Sequence, residues 1–265
     1  MSETNHIFKD GLLEGRVALV TGGSSGIGKG IADMLHRLGA HVHIVGRDPE
    51  KLQATLADLE RGVGRFQVHA ADVRDYAATQ EVVRAVAAAQ GRIDILVNNA
   101  AGNFHCPFEQ LTPNGWKAVV DIDLNGTFNY CHTAFDALKA SPWGGRVINI
   151  TLAQGVSGWP GSAHAASAKA GVTALTRSLA VEWGPHGIRI NNILPGPIGD
   201  TEGVKRLYEE RGLAEKELAR LCLDHFGTTG DIAQSVAFLC SEAGNFITGC
   251  DMTVDGGRWL KRAWV

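Results

Sequence analysis

Thr21-Gly22-Gly23-Ser24-Ser25-Gly26-Ile27-Gly28 joins a short apolar run, residues 17–21, to a segment with helical spacing of its apolar residues. A run of that kind reads as a strand buried on both faces. Residues 27–38 place Ile31, Met34, Leu35 and Leu38 on one helix face, and Gly39 follows as a stop. Glycines at a strand-to-helix turn let a pyrophosphate approach the backbone, where free N–H groups and the helix dipole favour anions. The spacing is Gly-x3-Gly-x-Gly, not the common Gly-x-Gly-x-x-Gly, so the loop alone also fits a merely structural turn. Its place directly after an apolar strand favours dinucleotide binding.

Outward from this loop the chain keeps alternating. Residues 41–45, 66–70, 93–97, 146–150, 188–194 and 252–254 read as strands. Residues 49–59, 76–90, 113–139 and 167–183 read as helices. This alternation predicts an α/β fold, a doubly wound parallel sheet with helices on both faces. The whole of 1–265 is expected to form one domain, with a core over about 15–257. Residues 195–226 break the rhythm: they open with Pro195-Gly196-Pro197 and continue with charged helical sequence. A long insertion at the carboxyl end of a strand predicts a helical lid.

The second strand ends Val45-Gly46-Arg47-Asp48. An acid at this point suits a ribose 2′-hydroxyl, and an arginine suits a 2′-phosphate. Gly46 stands where the acid is expected and Arg47 follows, which favours NADPH over NADH; a solvated arginine at a loop start is the other reading. Asp48 precedes Pro49 and is expected to cap the next helix.

Composition narrows the function classes. The 265 residues carry 25 Lys+Arg against 28 Asp+Glu, a net charge of −3 with no basic block, which is poor support for nucleic-acid binding. Five scattered cysteines without Cys-x-x-Cys spacing read as reduced thiols, not a disulfide frame or a zinc site. Ten histidines show no ligand spacing, and no metal is expected. No apolar run approaches the roughly 18 residues of a membrane span. Residues 1–13 lack an apolar signal region, and the final Arg262-Ala263-Trp264-Val265 is not a Ser-Lys-Leu peroxisomal address. These features lead to the expectation of a cytoplasmic protein without membrane attachment.

The glycine loop and four further motifs resemble the short-chain dehydrogenase/reductase family. The motifs are Asp72-Val73 after the third strand, Asn98-Asn99-Ala100-Ala101-Gly102 after the fourth, Lys169 in a small-residue helix start, and Pro195-Gly196-Pro197 after the sixth. The resemblance covers about 15–257. It implies a Rossmann-like fold, a nicotinamide cofactor and a homotetramer. It also implies cofactor contacts from Thr21, Gly22, Gly23, Ser24, Ser25, Gly26, Ile27 and Gly28 of the loop, and from Asp72, Val73, Asn99 and Ala100. Pro195, Gly196, Pro197, Ile198 and Thr201 would receive the nicotinamide side.

The departures carry more information. Where the family usually has a tyrosine four residues before lysine, this chain has Ala165. The usual serine falls at about Leu152, and the usual asparagine at Asp123. Lys169 alone remains. No acid is then evident for a carbonyl or alcohol oxygen, so ordinary ketone chemistry is not expected.

Within the family the chain is similar to the 2,4-dienoyl-CoA reductases. The carrying residues are Asn98 to Phe104, Asp121-Ile122-Asp123 with Gly126-Thr127-Phe128, His164 to Lys169, and Pro195 to Ile198 with Thr201-Glu202-Gly203. The peroxisomal type matches best; the active-site tyrosine of the mitochondrial type would fall near Gln154. The resemblance implies NADPH-dependent reduction of a fatty dienoyl-CoA to a 3-enoyl-CoA, within β-oxidation of unsaturated fatty acids. Lys169 would bind the nicotinamide ribose. Asp123 would orient a water or relay a proton, and Asn125 would donate to the thioester oxygen. Arg74 and Arg206 would meet coenzyme A phosphates, and Phe104 would line the acyl path. Two alternatives stay open: a trans-2-enoyl-CoA or other short-chain reductase, and a catalytically silent nucleotide-binding scaffold.

Overall fold

β1 (Val17–Thr21) runs through the middle of a parallel sheet and is buried along its whole length. In the computed structural model, which describes residues 7–59, 65–153 and 157–261, the strand order is β3-β2-β1-β4-β5-β6-β7. The other strands are β2 (His41–Gly46), β3 (Phe66–Ala70), β4 (Ile95–Asn98), β5 (Arg146–Ile150), β6 (Arg189–Pro195) and β7 (Asp251–Val254). Every pairing is parallel. The position near Gln154 and the last four residues lie outside the described residues.

Helices α1 (Gly26–Arg37), α2 (Pro49–Leu59), α3 (Tyr76–Gln90), α4 (Pro113–Val120), α5 (Gly126–Lys139) and α6 (Ala163–Trp183) fill the first two-thirds. α7 (Glu202–Val204), α8 (Ala214–Leu218), α9 (Thr229–Cys240) and α10 (Arg258–Lys261) follow. Alternation along β1 splits the apolar core. Ala18 and Val20 pack with Ile31, Leu35 and Val236 on one face; Val17 and Leu19 pack with Val83, Tyr130 and Leu138 on the other. Burying one such Leu or Ile side chain contributes about 1.5–3 kcal/mol.

Polar groups inside the sheet are paired in a chain. Asn98 Nδ2 donates to Asn149 Oδ1, Asn149 Nδ2 to Thr176 Oγ1, Thr176 Oγ1 to Asn192 Oδ1, and Asn192 Nδ2 to Asp251 Oδ1, all within 2.7–2.8 Å. This chain ties β4, β5, α6, β6 and β7 together, and each link supplies a buried amide or hydroxyl with the partner it needs.

The structure corrects the sequence reading in three places. The expected helix over 113–139 is α4 and α5 joined by a π-helical turn at Asp121–Asn125. α6 starts at Ala163, four residues before the expected 167. The strand expected at 93–97 is Ile95–Asn98. Residues 195–226, where a lid is expected, contain α7, a π-helical turn at Lys205–Glu209, and α8. Asp48 does cap its helix, accepting the N–H groups of Glu50 (3.0 Å) and Lys51 (3.1 Å). No helix among the described residues is long and apolar enough to cross a membrane.

His43 on β2 is buried and shares a 3.0 Å hydrogen bond with His69 on β3. Burial, then the neighbouring imidazole, lowers its pKa from 6.5 to about 4. The folded form therefore binds fewer protons than the unfolded chain between these values. Its contribution to stability is present above pH 6.5 and is lost as pH falls through about 4. His43→Gln is expected to flatten the acid limb of folding stability by about 3 kcal/mol between pH 7 and pH 4. Denaturant unfolding at both pH values checks this.

Candidate active site

The chain runs outward from β1 to β3, then returns to β4 and continues to β7 on the other side. The carboxyl ends of β1 and β4 therefore flank the point where strand order reverses, which is where parallel α/β sheets open a ligand crevice. A cleft of about 1100 Å³ lies there and extends under the lid. Drug-sized ligands occupy about 300–1000 Å³, so this volume accommodates a dinucleotide with part of a second ligand.

From the glycine loop, Gly22, Ser24, Ser25, Gly26 and Ile27 line the cleft. Thr21, Gly23 and Gly28 stand behind the lining and build it. Thr21 Oγ1 accepts the backbone N–H groups of Asn99 (3.0 Å) and Ala100 (3.1 Å), which fixes the turn after β4. A Cβ on Gly28 would lie 2.3 Å from the Gly22 carbonyl oxygen and 2.4 Å from Asn99 Nδ2. Gly22 itself has φ +65, a left-handed conformation that favours glycine. Ser25 makes no side-chain capping bond at the start of α1, so the first-turn N–H groups of that helix lack a side-chain cap.

Around the loop, the lining continues through Arg47, Asp72, Val73, Asn99 and Ala100. On the far side it includes Pro195, Gly196, Pro197, Ile198 and Thr201, with Phe104 and Arg206 beyond them. Lys51, in the first turn of α2, also lines the cleft. Arg74 stands outside the lining. Its guanidinium forks onto the Asp72 carboxylate, with Nη2–Oδ2 at 2.6 Å, and this bond is the main reason that Asp72 titrates below the usual carboxylate range.

Asp123 and Lys169 meet at the floor. Both are buried, and Lys169 Nζ is 3.9 Å from Asp123 Oδ2. Lys169 Nζ donates to the Ile150 carbonyl at 2.8 Å, where β5 ends. Asp123 Oδ1 accepts the Gly102 N–H at 2.7 Å. Burial pushes the Asp123 carboxyl up, and the Lys169 cation and the Gly102 bond hold it partly down. His164 is fully buried beside this pair, edge-on to Phe104 with 4.5 Å between ring centroids. Burial lowers its pKa, so the imidazole is neutral near pH 7, while the Asp123 charge acts in the opposite sense. At the tyrosine position the methyl of Ala165 faces the cleft.

The π-helical turn explains which of the two neighbouring polar residues is used. Residues two apart on a helix do not share a face. Asp123 points inward to Gly102. Asn125 is exposed, donates to Asp121 Oδ1 at 2.8 Å, and is not part of the cleft lining. The expected contact from Asn125 to a thioester oxygen is therefore not available in this arrangement. Sequence reading also missed His105, Tyr208, Arg211 and Arg258, which line the cleft. Tyr208 and Arg211 sit in the lid and Arg258 beyond the last strand, where no periodicity points at the cleft.

Comparison with known proteins agrees with this geometry. The family described as "Enoyl-(Acyl carrier protein) reductase" matches residues 22–258. A Bacillus subtilis protein named "Probable 2,4-dienoyl-CoA reductase [(2E)-enoyl-CoA-producing]" is 42% identical over 254 residues, covering 94% of this chain and 98% of its own length. The chain belongs to the short-chain dehydrogenase/reductase family. The zebrafish (Danio rerio) protein named "Peroxisomal 2,4-dienoyl-CoA reductase [(3E)-enoyl-CoA-producing]" is 40% identical, covering 99% of this chain and 88% of its own. A solved short chain dehydrogenase from Bacillus anthracis superposes with a TM-score of 0.84 at 40% identity, covering 93% of this chain and 98% of that one.

Short-chain dehydrogenases/reductases are oxidoreductases with a nicotinamide cofactor, and the residues here fit one. The Gly22–Gly28 cradle has no room for a Cβ at Gly28, and the uncapped start of α1 opens onto the cleft. Both features suit close approach of a pyrophosphate to the backbone.

Proposed function

We propose that the protein is an NADPH-dependent 2,4-dienoyl-CoA reductase that forms a 3-enoyl-CoA. The observation that carries this reading is the floor of the cleft: a buried Asp123–Lys169 pair where the family's tyrosine position holds Ala165. Among the described residues, such a floor places a carboxyl that can protonate carbon beside Lys169 and no tyrosine hydroxyl there. The names of relatives at about 40% identity support reduction of a 2,4-dienoyl-CoA but divide on the product: the Danio rerio protein is named for the 3E-enoyl-CoA and the Bacillus subtilis protein for the 2E-enoyl-CoA.

Bound NADPH supplies hydride, which in this chemistry adds to the δ carbon of the diene and leaves a dienolate on the thioester. The glycine loop would hold the pyrophosphate, and Asn99, Ala100 and Pro195–Ile198 would flank the nicotinamide side. Lys169 would bind the nicotinamide ribose and add positive potential at the floor. Asp123, its carboxyl kept protonated to higher pH by burial, would deliver the proton to the α carbon directly or through one water. Phe104 would border the acyl path.

Arg47 and Lys51 favour NADPH over NADH, because a 2′-phosphate at Gly46 would meet two cations and no carboxylate at the position of the usual acid. Arg47→Ala is expected to weaken NADPH binding roughly 10- to 100-fold, the value of a charge-assisted bond, and to leave NADH binding nearly unchanged. Fluorescence titration with both nucleotides checks this.

The functional test follows NADPH oxidation with 2,4-hexadienoyl-CoA, 2-hexenoyl-CoA and acetoacetyl-CoA. Turnover of the dienoyl thioester alone is expected. Turnover of acetoacetyl-CoA would mean that a carbonyl acid operates in the cleft. Tight NADPH binding with no turnover of any of the three would favour a silent scaffold.

A further inference from the structure

We propose that Arg258, held in place by Glu217, forms a phosphate-binding subsite with Arg206 and Arg211 under the lid. The subsite would receive a phosphate of the coenzyme A portion of the substrate. This inference rests on the acyl-CoA reading given above.

Arg258 opens α10 just past the end of the sheet, and its side chain is only 6% exposed. A guanidinium keeps its charge, so burying one requires a partner. Glu217 on α8 is that partner: it is 2% exposed and accepts from Arg258 Nε. Glu217 also accepts from Arg220 Nη1 at 3.2 Å. The carboxylate is thus shared between two arginines, one on each oxygen, and it engages only the Nε of Arg258. Arg258 lines the cleft, and among the described residues its two terminal nitrogens make no hydrogen bond. A buried cation with its outer edge unpaired and facing the cleft is an anion receptor.

Its neighbours fit the same ligand. Arg206 and Arg211 line the same lid side of the cleft, and the carboxylate lining that side is the exposed Glu202. Three guanidiniums around one lid favour a multivalent oxyanion, and the planar fork of arginine matches phosphate oxygens two at a time. The frame around Arg258 is rigid. The Trp259 N–H bonds Asp255 Oδ2 at 2.9 Å, Lys261 Nζ donates to the Leu221 carbonyl at 2.9 Å, and the Cys222 N–H bonds the Gly256 carbonyl at 2.8 Å. These bonds fasten the C-terminal turn to the far end of the lid, so the receptor and the lid arginines are placed by one structure.

The test uses the full chain loaded with NADPH and two probes. Free coenzyme A is titrated by calorimetry, and hexadienoyl-CoA is compared with hexadienoyl-pantetheine, which has no nucleotide phosphates. Arg258→Gln is expected to weaken coenzyme A binding roughly 10- to 100-fold. It should raise KM for the CoA thioester by a similar factor at constant kcat and leave the pantetheine thioester unaffected. Arg258→Lys should recover part of the affinity. Arg258→Gln leaves Glu217 buried without its main cation. The double variant Arg258→Gln with Glu217→Gln keeps a neutral hydrogen-bonding pair there and should show the same loss. Coenzyme A affinity unchanged in the double variant would overturn the proposal, as would equal losses on both thioesters. A wild-type protein that binds coenzyme A through Arg258 but reduces no dienoyl thioester would retain the subsite and remove the reductase reading.

Discussion

Asp123→Asn is expected to lower kcat for a dienoyl thioester by about 10²- to 10⁴-fold, the usual share of a positioned proton donor. The asparagine can still accept the Gly102 N–H through Oδ1, as the aspartate does at 2.7 Å. Folding should therefore be retained, and thermal unfolding of the variant should stay close to that of the wild type. The pH profile separates chemistry from structure. Burial raises the Asp123 pKa, so the competent, protonated form is full below that value and is lost as pH rises through it. Wild-type kcat should fall on this alkaline limb, and the limb should be absent from the asparagine variant. Steady-state kinetics across the pH range, with saturating NADPH, gives both readings.

Lys169→Met is the second large effect. Lys169 is the cation that most lowers the Asp123 pKa against the effect of burial, at a distance of 3.9 Å. Without it, the alkaline limb of kcat should move to higher pH. NADPH binding should weaken as well, because the proposed contact of Lys169 with the nicotinamide ribose is lost. The stability change should depend on pH in a defined direction. Removing one partner of a buried ion pair costs about 3–5 kcal/mol when the other must stay charged. Asp123 can escape that cost by holding its proton. The variant should therefore be most destabilised in alkali and least in acid, which denaturant unfolding at two pH values measures.

The parts of the site legible in the sequence are those fixed by backbone geometry. Gly22, Gly23 and Gly28 mark a turn with no room for a Cβ at those positions, and the turn after β4 was legible through the family resemblance. Lys169 was legible only through the resemblance to the short-chain dehydrogenase/reductase family. The residues that were missed, or placed wrongly, depend on features that sequence spacing does not carry. The 113–139 segment reads as one helix because its apolar spacing is continuous. The π-helical turn at Asp121–Asn125 leaves little mark on that spacing, yet it is where Asp123 turns inward and Asn125 outward. Such turns recur at functional sites for this reason. Arg74 stands beside Asp72 in sequence, and the shortest route for its guanidinium is to that carboxylate. Arg258 and Tyr208 approach the cleft only because the lid folds back over the carboxyl edge of the sheet, a tertiary contact with no local signature.

The most direct test of the central claim is the position of the double bond in the product of 2,4-hexadienoyl-CoA, read by NMR in deuterated water. Protonation at the α carbon through Asp123 gives a 3-enoyl-CoA with solvent deuterium at that carbon, which is the expected result. A 2-enoyl-CoA, with solvent deuterium at the γ carbon, would contradict the role assigned to the Asp123–Lys169 floor.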